Sequence, residues 1–286
     1  MKAAKFQLKE HPWIALILVL ITFVFVLNIT SIILFEVLRL NTEDSIIQTL
    51  PAAITNFILL FIIIPFLYKL PRGNNKIMLY LNDIGLLRIQ PFFKLLLLGL
   101  SCYLVFLFFQ VAGSIIYHLS QGETVNAQFI QSLFKFSNEF PPNSNGWLVS
   151  LPSILEEFVF RGVILTLFLT KYTPTRAIIY SAIGFGVIHL LNLASDKEVV
   201  WVMGQVAWCF ISGLFYGYLF LKTKSLLPVM VVHYLFNLFI WTLTNNIQID
   251  ATAQVQAFYG VLFFFGVFPS ALAIIWTRFF IKRWPI

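Results

Sequence analysis

The residues of this sequence that could do chemistry are a few Glu, Arg, His and Asn side chains within long apolar segments. The segment LPSILEEFVFRGVIL contains Glu156, Glu157 and Arg161. An ionisable side chain in the middle of a membrane-spanning helix costs about 2.5–3.5 kcal/mol even on lenient insertion scales, so it marks a functional site by default. These three residues are therefore the first candidates for function.

The helical spacing assigns the two carboxylates different tasks. Glu157 and Arg161 are four residues apart, so they share one helix face and can pair. Glu156 points about 100° away from Glu157 and does not share that face. We therefore predict that Arg161 neutralises Glu157, while Glu156 is available for chemistry across the bundle. The alternative is that all three are structural contacts, with Glu156 protonated and hydrogen-bonded.

Two other apolar segments provide possible partners for Glu156. FGVIHLLN places Phe185 one helical turn before His189, and VVHYLFN places His233 one turn before Asn237. A single His in a membrane helix can also be a plain interhelical hydrogen-bond donor. However, at 1.5 Å per residue, Glu156 lies roughly 14 Å from the outer end of its segment. His189 and His233 lie roughly 20 and 12 Å from the inner ends of theirs. All three depths fall in the middle third of a bilayer about 30 Å thick, so we expect these side chains to meet.

The composition predicts that these segments cross a membrane. Apolar residues make up 59% of the chain and charged residues 11%, against roughly 45–50% and about 25% in soluble domains. Runs near the 20 residues that a spanning helix needs predict an all-α, polytopic transmembrane bundle of about eight spans. They are 13–35, 52–68, 92–118, 147–170, 176–194, 199–221, 225–245 and 256–280. Continuous rather than alternating hydrophobicity argues against a β-barrel.

The basic residues predict the orientation of the bundle. With the N-terminus in the cytoplasm, the outer loops contain only Arg39, Lys135 and Lys197. Apart from Arg161, all the other Lys and Arg residues lie on the inner side. This asymmetry places both termini in the cytoplasm. It also explains the net charge of +7 without a nucleic-acid partner.

In these motifs the chain resembles the CAAX prenyl protease 2 and bacterial self-immunity family of intramembrane proteases, also called CPBP or Abi proteins. The family shows EExxxR, FxxxH and HxxxN in that order, here from Glu156 to Arg161, Phe185 to His189, and His233 to Asn237. The resemblance implies a catalytic membrane core in residues 91–286, preceded by two helices and a linker in residues 1–90. It also implies cleavage of a peptide bond in a membrane-associated or lipidated protein or peptide.

The residue chemistry suggests how such a site would work. Glu156 is the candidate general base, with His189 holding and polarising the water. His233 and the Asn237 amide would stabilise the oxyanion, and Glu157 and Arg161 would support the site. The family that the chain resembles has been called a metalloprotease group. If zinc is bound, Glu156, His189 and His233 are the candidate ligands. We expect a metal-free mechanism, because three zinc ligands would leave no free base.

Two other functions remain open at this stage: a catalytically idle regulator or self-immunity scaffold, and a proton-coupled transporter. An idle scaffold would not need the complete Glu, His, His and Asn set, and no inverted repeat of the transporter kind is visible. We assign no role to His11 or His118, and expect Asn28, Asn56 and Gln205 to make helix–helix contacts. The two cysteines, Cys102 and Cys209, are predicted to be buried apolar side chains. If the protein is bacterial, we expect it in the cytoplasmic membrane.

Overall fold

The structure is a computed structural model that describes residues 10–41, 45–67, 76–133, 150–194, 198–244 and 262–286. These residues form helices joined by short connections, and no strand occurs among them. The all-α class predicted from the apolar segments is therefore confirmed.

Two helices precede the three motifs and pack on each other. Helix α1 is Pro12–Ser31, extended by the π-helix Ile32–Val37. Helix α2 is Ser45–Ile58, followed by the π-helix Leu59–Ile63 and a last turn, Ile64–Leu67. The second span thus begins before the predicted residue 52 and contains Pro51 within it.

The linker after α2 is more structured than its polar composition indicates. It contains helix α3, Lys76–Asp83, and Ile84, which follows that helix, is buried in the core. The carbonyl of Gly85 accepts a hydrogen bond from the backbone N–H of Leu226, at 3.1 Å. Gly85 has a φ of +80°, a conformation that glycine adopts without steric cost. The linker therefore forms part of one end of the bundle.

The remaining helices form the core around the motifs. They are α4 (Phe92–Ser120), the short α5 (Ala127–Leu133), α6, α7 (Pro174–Ile188), α8 (Val199–Thr223), α9 (Leu227–Thr244) and α10. Helix α6 joins Pro152–Glu157, the π-helix Phe158–Leu165 and Thr166–Leu169. Helix α10 joins the π-helix Leu262–Val267 and Phe268–Arg283. Cys102 and Cys209 are free and buried, as predicted.

Small residues allow α7 and α8 to lie unusually close together. A Cβ added at Gly186 would lie 2.9 Å from the carbonyl oxygen of Val206, and one at Gly213 would lie 3.1 Å from the Cβ of Ala182. These contacts run in opposite chain directions, so the two helices are antiparallel. Close backbone approach at small residues is typical of membrane helix pairs, and here it fixes the position of the FxxxH helix.

Length and composition identify five of the described helices as able to cross a membrane. They are Pro12–Val37, Phe92–Ser120, Pro174–Ala194, Val199–Thr223 and Leu262–Arg283. Thr49–Ile63 and Leu227–Leu238 are shorter apolar helices. Helix α6 carries the charged motif and falls outside both groups. The chain is thus a multi-pass membrane protein, and the predicted total of eight spans remains a prediction.

Several contacts join segments that the basic residues assign to the same side. The Lys171 ammonium donates to the carbonyl of Glu10, at 2.6 Å, and that of Lys94 donates to the carbonyl of Pro285, at 3.0 Å. Each pair shows only that its two segments lie at the same end of the bundle, and the predicted orientation stays a prediction. Residues 1–9, 134–149 and 245–261, on which part of the topology prediction rests, lie outside the described residues.

Candidate active site

The EExxxR motif lies where helix α6 changes its winding. The regular helix ends at Glu157 and the π-helix begins at Phe158. π-Helical turns inside α-helices are frequent at functional sites. The change of winding alters the side-chain directions that a uniform 100° per residue would give after Glu157.

Arg161 and Glu157 form the predicted ion pair in the interior of the bundle. Nη1 of Arg161 donates to Glu157 Oε1 at 3.1 Å, and the two side chains are 1% and 0% exposed. The guanidinium also lies 4.3 Å from the ring centroid of Phe185 and 5.2 Å from that of Tyr216. Cation–π contacts of this kind stabilise a desolvated cation, so the Phe of the FxxxH motif helps to hold Arg161.

Glu157 also makes a contact that the helical spacing does not predict. Its Oε1 accepts a second hydrogen bond, at 2.6 Å, from His233 Nδ1 on helix α9. The expectation that only Glu156 reaches across the bundle is therefore wrong. Side-chain directions around α6 alone do not reveal that α9 approaches both carboxylates. Because a carboxylate can only accept, Nδ1 of His233 carries the proton.

Glu156 lies at the opposite edge of the same imidazole. Its Oε2 is 3.8 Å from His233 Nε2, and its side chain is 28% exposed whereas His233 is 2% exposed. The ring of Tyr216 stacks on His233 with a centroid distance of 5.0 Å. The imidazole is thus fixed by Glu157 and Tyr216 and presents its second nitrogen toward Glu156.

His189 shares a cavity with Glu156. Its Nδ1 donates to the carbonyl of Phe185 at 2.8 Å, so in the neutral ring Nε2 is the acceptor. A cavity of about 170 Å³ is lined by both Glu156 and His189, with Asn56 and Asn192 as its other polar residues. A cavity of this size has room for a water molecule and for part of a ligand.

The structure places Asn237 one turn after His233 on helix α9, where it is half-buried. Neither residue is among those that line the cavity with Glu156 and His189. The structure therefore brings Glu156, Glu157, Arg161 and His233 together in one cluster. His189 joins this cluster through the cavity that it shares with Glu156. Asn237 keeps the one-turn spacing from His233 that the HxxxN motif specifies.

Two polar or aromatic side chains near the site were not singled out from the sequence. Tyr216 contacts both His233 and Arg161, but an aromatic residue in an apolar helix gives no distinguishing signal. Asn192 donates to Gln205 Oε1 at 2.6 Å, which confirms the predicted interhelical contact of Gln205. Asn28 and Asn56 instead bond carbonyls of their own helices.

The proposed zinc ligands do not form a metal site in the described part of the chain. No group of three or more His, Cys, Asp or Glu side chains there is arranged to hold a metal ion. Glu156 and His233 are neighbours, but a zinc site usually needs three protein ligands that converge at about 2.0–2.2 Å from the ion. The described residues offer no such three-ligand set, so we assign no step to a metal, and the metal-free mechanism stays a prediction.

A comparison with protein families matches the part of the chain that carries the motifs. Residues 146–239 match the Type II CAAX prenyl endopeptidase Rce1-like family. The resemblance read from the motifs is therefore confirmed, and the match spans the helices that carry all three motifs. No curated protein and no solved structure matches the chain. At the level of the family, the match indicates a protease embedded in the membrane.

Proposed function

We propose that this protein is an intramembrane endopeptidase that hydrolyses a peptide bond in a membrane-associated or lipidated protein or peptide. The observation that carries the proposal is the position of Glu156. It is partly exposed at the wall of a cavity and lies beside His233 Nε2, whose ring a buried Glu157–Arg161 pair holds in place.

Glu156 is the general base in this mechanism. It removes a proton from a water molecule that the Nε2 lone pair of His189 helps to hold, and the water oxygen attacks the peptide carbonyl carbon. The carbonyl π electrons move to oxygen and form the oxyanion. When the C–N bond breaks, Glu156 returns its proton to the leaving amine, so its carboxylate is regenerated.

His233 and Asn237 stabilise the oxyanion in this scheme. Nε2 of His233 is the ring nitrogen that Glu157 leaves free. In this scheme the ring acts as the imidazolium, with a proton on each nitrogen, and Nε2 donates toward the developing negative charge. The Asn237 amide, one helical turn away, provides a second donor. Glu157 and Arg161 act indirectly, because Glu157 fixes the orientation of the His233 ring and Arg161 compensates the Glu157 charge.

The proposal is tested by comparing protein C-termini and membrane peptides between cells with the wild-type chain and cells with Glu156→Gln. We expect a set of cleaved C-termini to disappear, while the variant still inserts in the membrane. Glu36→Gln is the matched control, since Glu36 is an exposed carboxylate at the end of α1. Cleavage by Glu156→Gln at the wild-type rate would contradict the assignment of the base.

A further inference from the structure

The cavity beside Glu156 is lined in part by helices that lie outside the family match. Its apolar wall includes Val19, Leu20, Phe23 and Leu27 of α1, at spacings that place them on one helix face. Helix α2 contributes Asn56 to the same lining. The family match covers only residues 146–239, so it accounts for one side of the cavity and leaves the α1–α2 side without an assigned role.

Asn56 is the residue of this wall whose polar group needs a partner. Its side chain is 2% exposed, and its Nδ2 donates to the carbonyl of Ala52 at 2.8 Å. Its Oδ1 is buried and accepts no hydrogen bond from the part of the chain that the structure describes. Buried polar atoms without a partner are rare, and each one calls for an explanation.

The orientation of Asn56 is fixed by its surroundings. The bond to Ala52 holds the amide nitrogen against its own helix, and Asn56 lines the same cavity as Glu156. The preceding residue, Thr55, lies 3.1 Å from Thr30 through a buried hydroxyl pair that joins α2 to α1. Helix α2 also packs on the first segment of α6, which carries Glu156. An acceptor is therefore held at a defined position in the wall of the candidate active site.

We infer that Asn56 is a substrate-positioning residue, whose Oδ1 accepts a hydrogen bond from a backbone N–H of the peptide near its scissile bond. This inference rests on the proposed function. A peptide that enters an apolar cavity must replace the hydrogen bonds that its N–H groups made with water. Of the polar groups in the lining, Glu156 and His189 hold the attacking water, and Asn192 is bonded to Gln205.

The test measures peptide binding separately from catalysis. Full-length protein carrying Glu156→Gln binds a fluorescent, farnesylated peptide with a C-terminal CAAX sequence, and anisotropy gives its Kd. Adding Asn56→Leu, which keeps a similar side-chain volume, should raise Kd about 5- to 150-fold, the range for one unsatisfied buried hydrogen-bonding group. Asn28→Leu is the matched control. Asn28 makes the same type of bond to its own helix but is exposed.

A second measurement identifies the bond itself. Peptides in which one backbone amide near the scissile bond is replaced by an ester lack a single N–H donor. With Asn56 present, one of these esters should bind more weakly, and with Asn56→Leu the same ester should cause no further loss. A purely structural role of Asn56 would instead lower the thermal unfolding midpoint and leave the effects of every ester additive.

Four results would overturn the inference: an unchanged Kd for Asn56→Leu, an equal loss for Asn28→Leu, additivity for every ester, or no binding of the peptide to the parent protein. Turnover by Glu156→Gln itself would contradict the proposed function instead. The two failures are thus distinguished, since binding is measured without cleavage.

Discussion

Replacing Glu157 with Gln tests the most specific feature of the site, a single carboxylate oxygen that accepts from both Arg161 and His233. The two bonds are 3.1 and 2.6 Å long, and none of the three side chains is more than 2% exposed. Gln has nearly the same shape but no charge. It removes the counter-ion of Arg161 and the strong acceptor of His233 Nδ1 in one step.

Two losses of different kind should follow. Breaking a buried ion pair by removing one partner costs about 3–5 kcal/mol of stability, so abundance and the unfolding midpoint in detergent should both fall. Loss of the carboxylate that orients a catalytic His lowers activity by up to about 10⁴-fold in other hydrolases. We therefore expect turnover by Glu157→Gln to fall about 10²- to 10⁴-fold. Arg161→Ala should lower both abundance and activity as well, because it removes the cation beside the buried Glu157.

The double variant Glu157→Gln/Arg161→Gln separates the two effects. It removes both charges, so it should regain much of the lost stability, whereas activity should stay low because nothing fixes the His233 ring. Turnover is followed with a quenched fluorescent peptide, and unfolding with a thiol-independent dye. Wild-type turnover by Glu157→Gln, or recovery of activity along with stability in the double variant, would refute the orienting role of Glu157.

Three further predictions follow from the sequence and the site. His189→Ala and His233→Ala should each abolish proteolysis while the protein still inserts in the membrane. Asn237→Ala should lower turnover about 10²- to 10³-fold, the usual effect of losing one oxyanion donor. Near-normal turnover by any of these variants would remove that residue from the mechanism. Reporter fusions should place both termini and the 69–91 linker in the cytoplasm and the 119–146 loop outside; a C-terminal reporter active only on the outer side would contradict eight spans. Active protein should retain activity after exhaustive chelation; about one zinc per chain, with activity lost on chelation and restored by zinc, would show a metal mechanism.

The fold class and the main ion pair could be predicted because they depend on local periodicity. Apolar runs of membrane length imply helices whatever their packing, and a Glu and an Arg four residues apart meet on any α-helix. The pairing of Glu157 with Arg161 is one such case. The contact between Gln205 and a neighbouring helix follows from the cost of leaving an amide unpaired in an apolar bundle.

The contacts between helices could not be predicted in this way. The second bond of Glu157, to His233, depends on how close α9 approaches α6 and on the ring orientation that Tyr216 imposes. The burial of Ile84 in a linker of polar appearance depends on its packing against the end of the bundle. The sequence predicts that Asn56 joins two helices, but a single polar residue in an apolar segment does not reveal that the adjacent space is a cavity.

Phe185 is the residue that connects the three motifs in space. Its ring lies beneath the Arg161 guanidinium at 4.3 Å and edge-on to His189 and His233 at 5.2 and 5.8 Å, and its carbonyl accepts the proton of His189 Nδ1. One residue thus touches a member of each motif. The Phe of FxxxH therefore has a physical role that its apolar character conceals. It fixes the tautomer of one histidine through its backbone and packs against the other through its ring, while its π face stabilises the cation that pairs with Glu157.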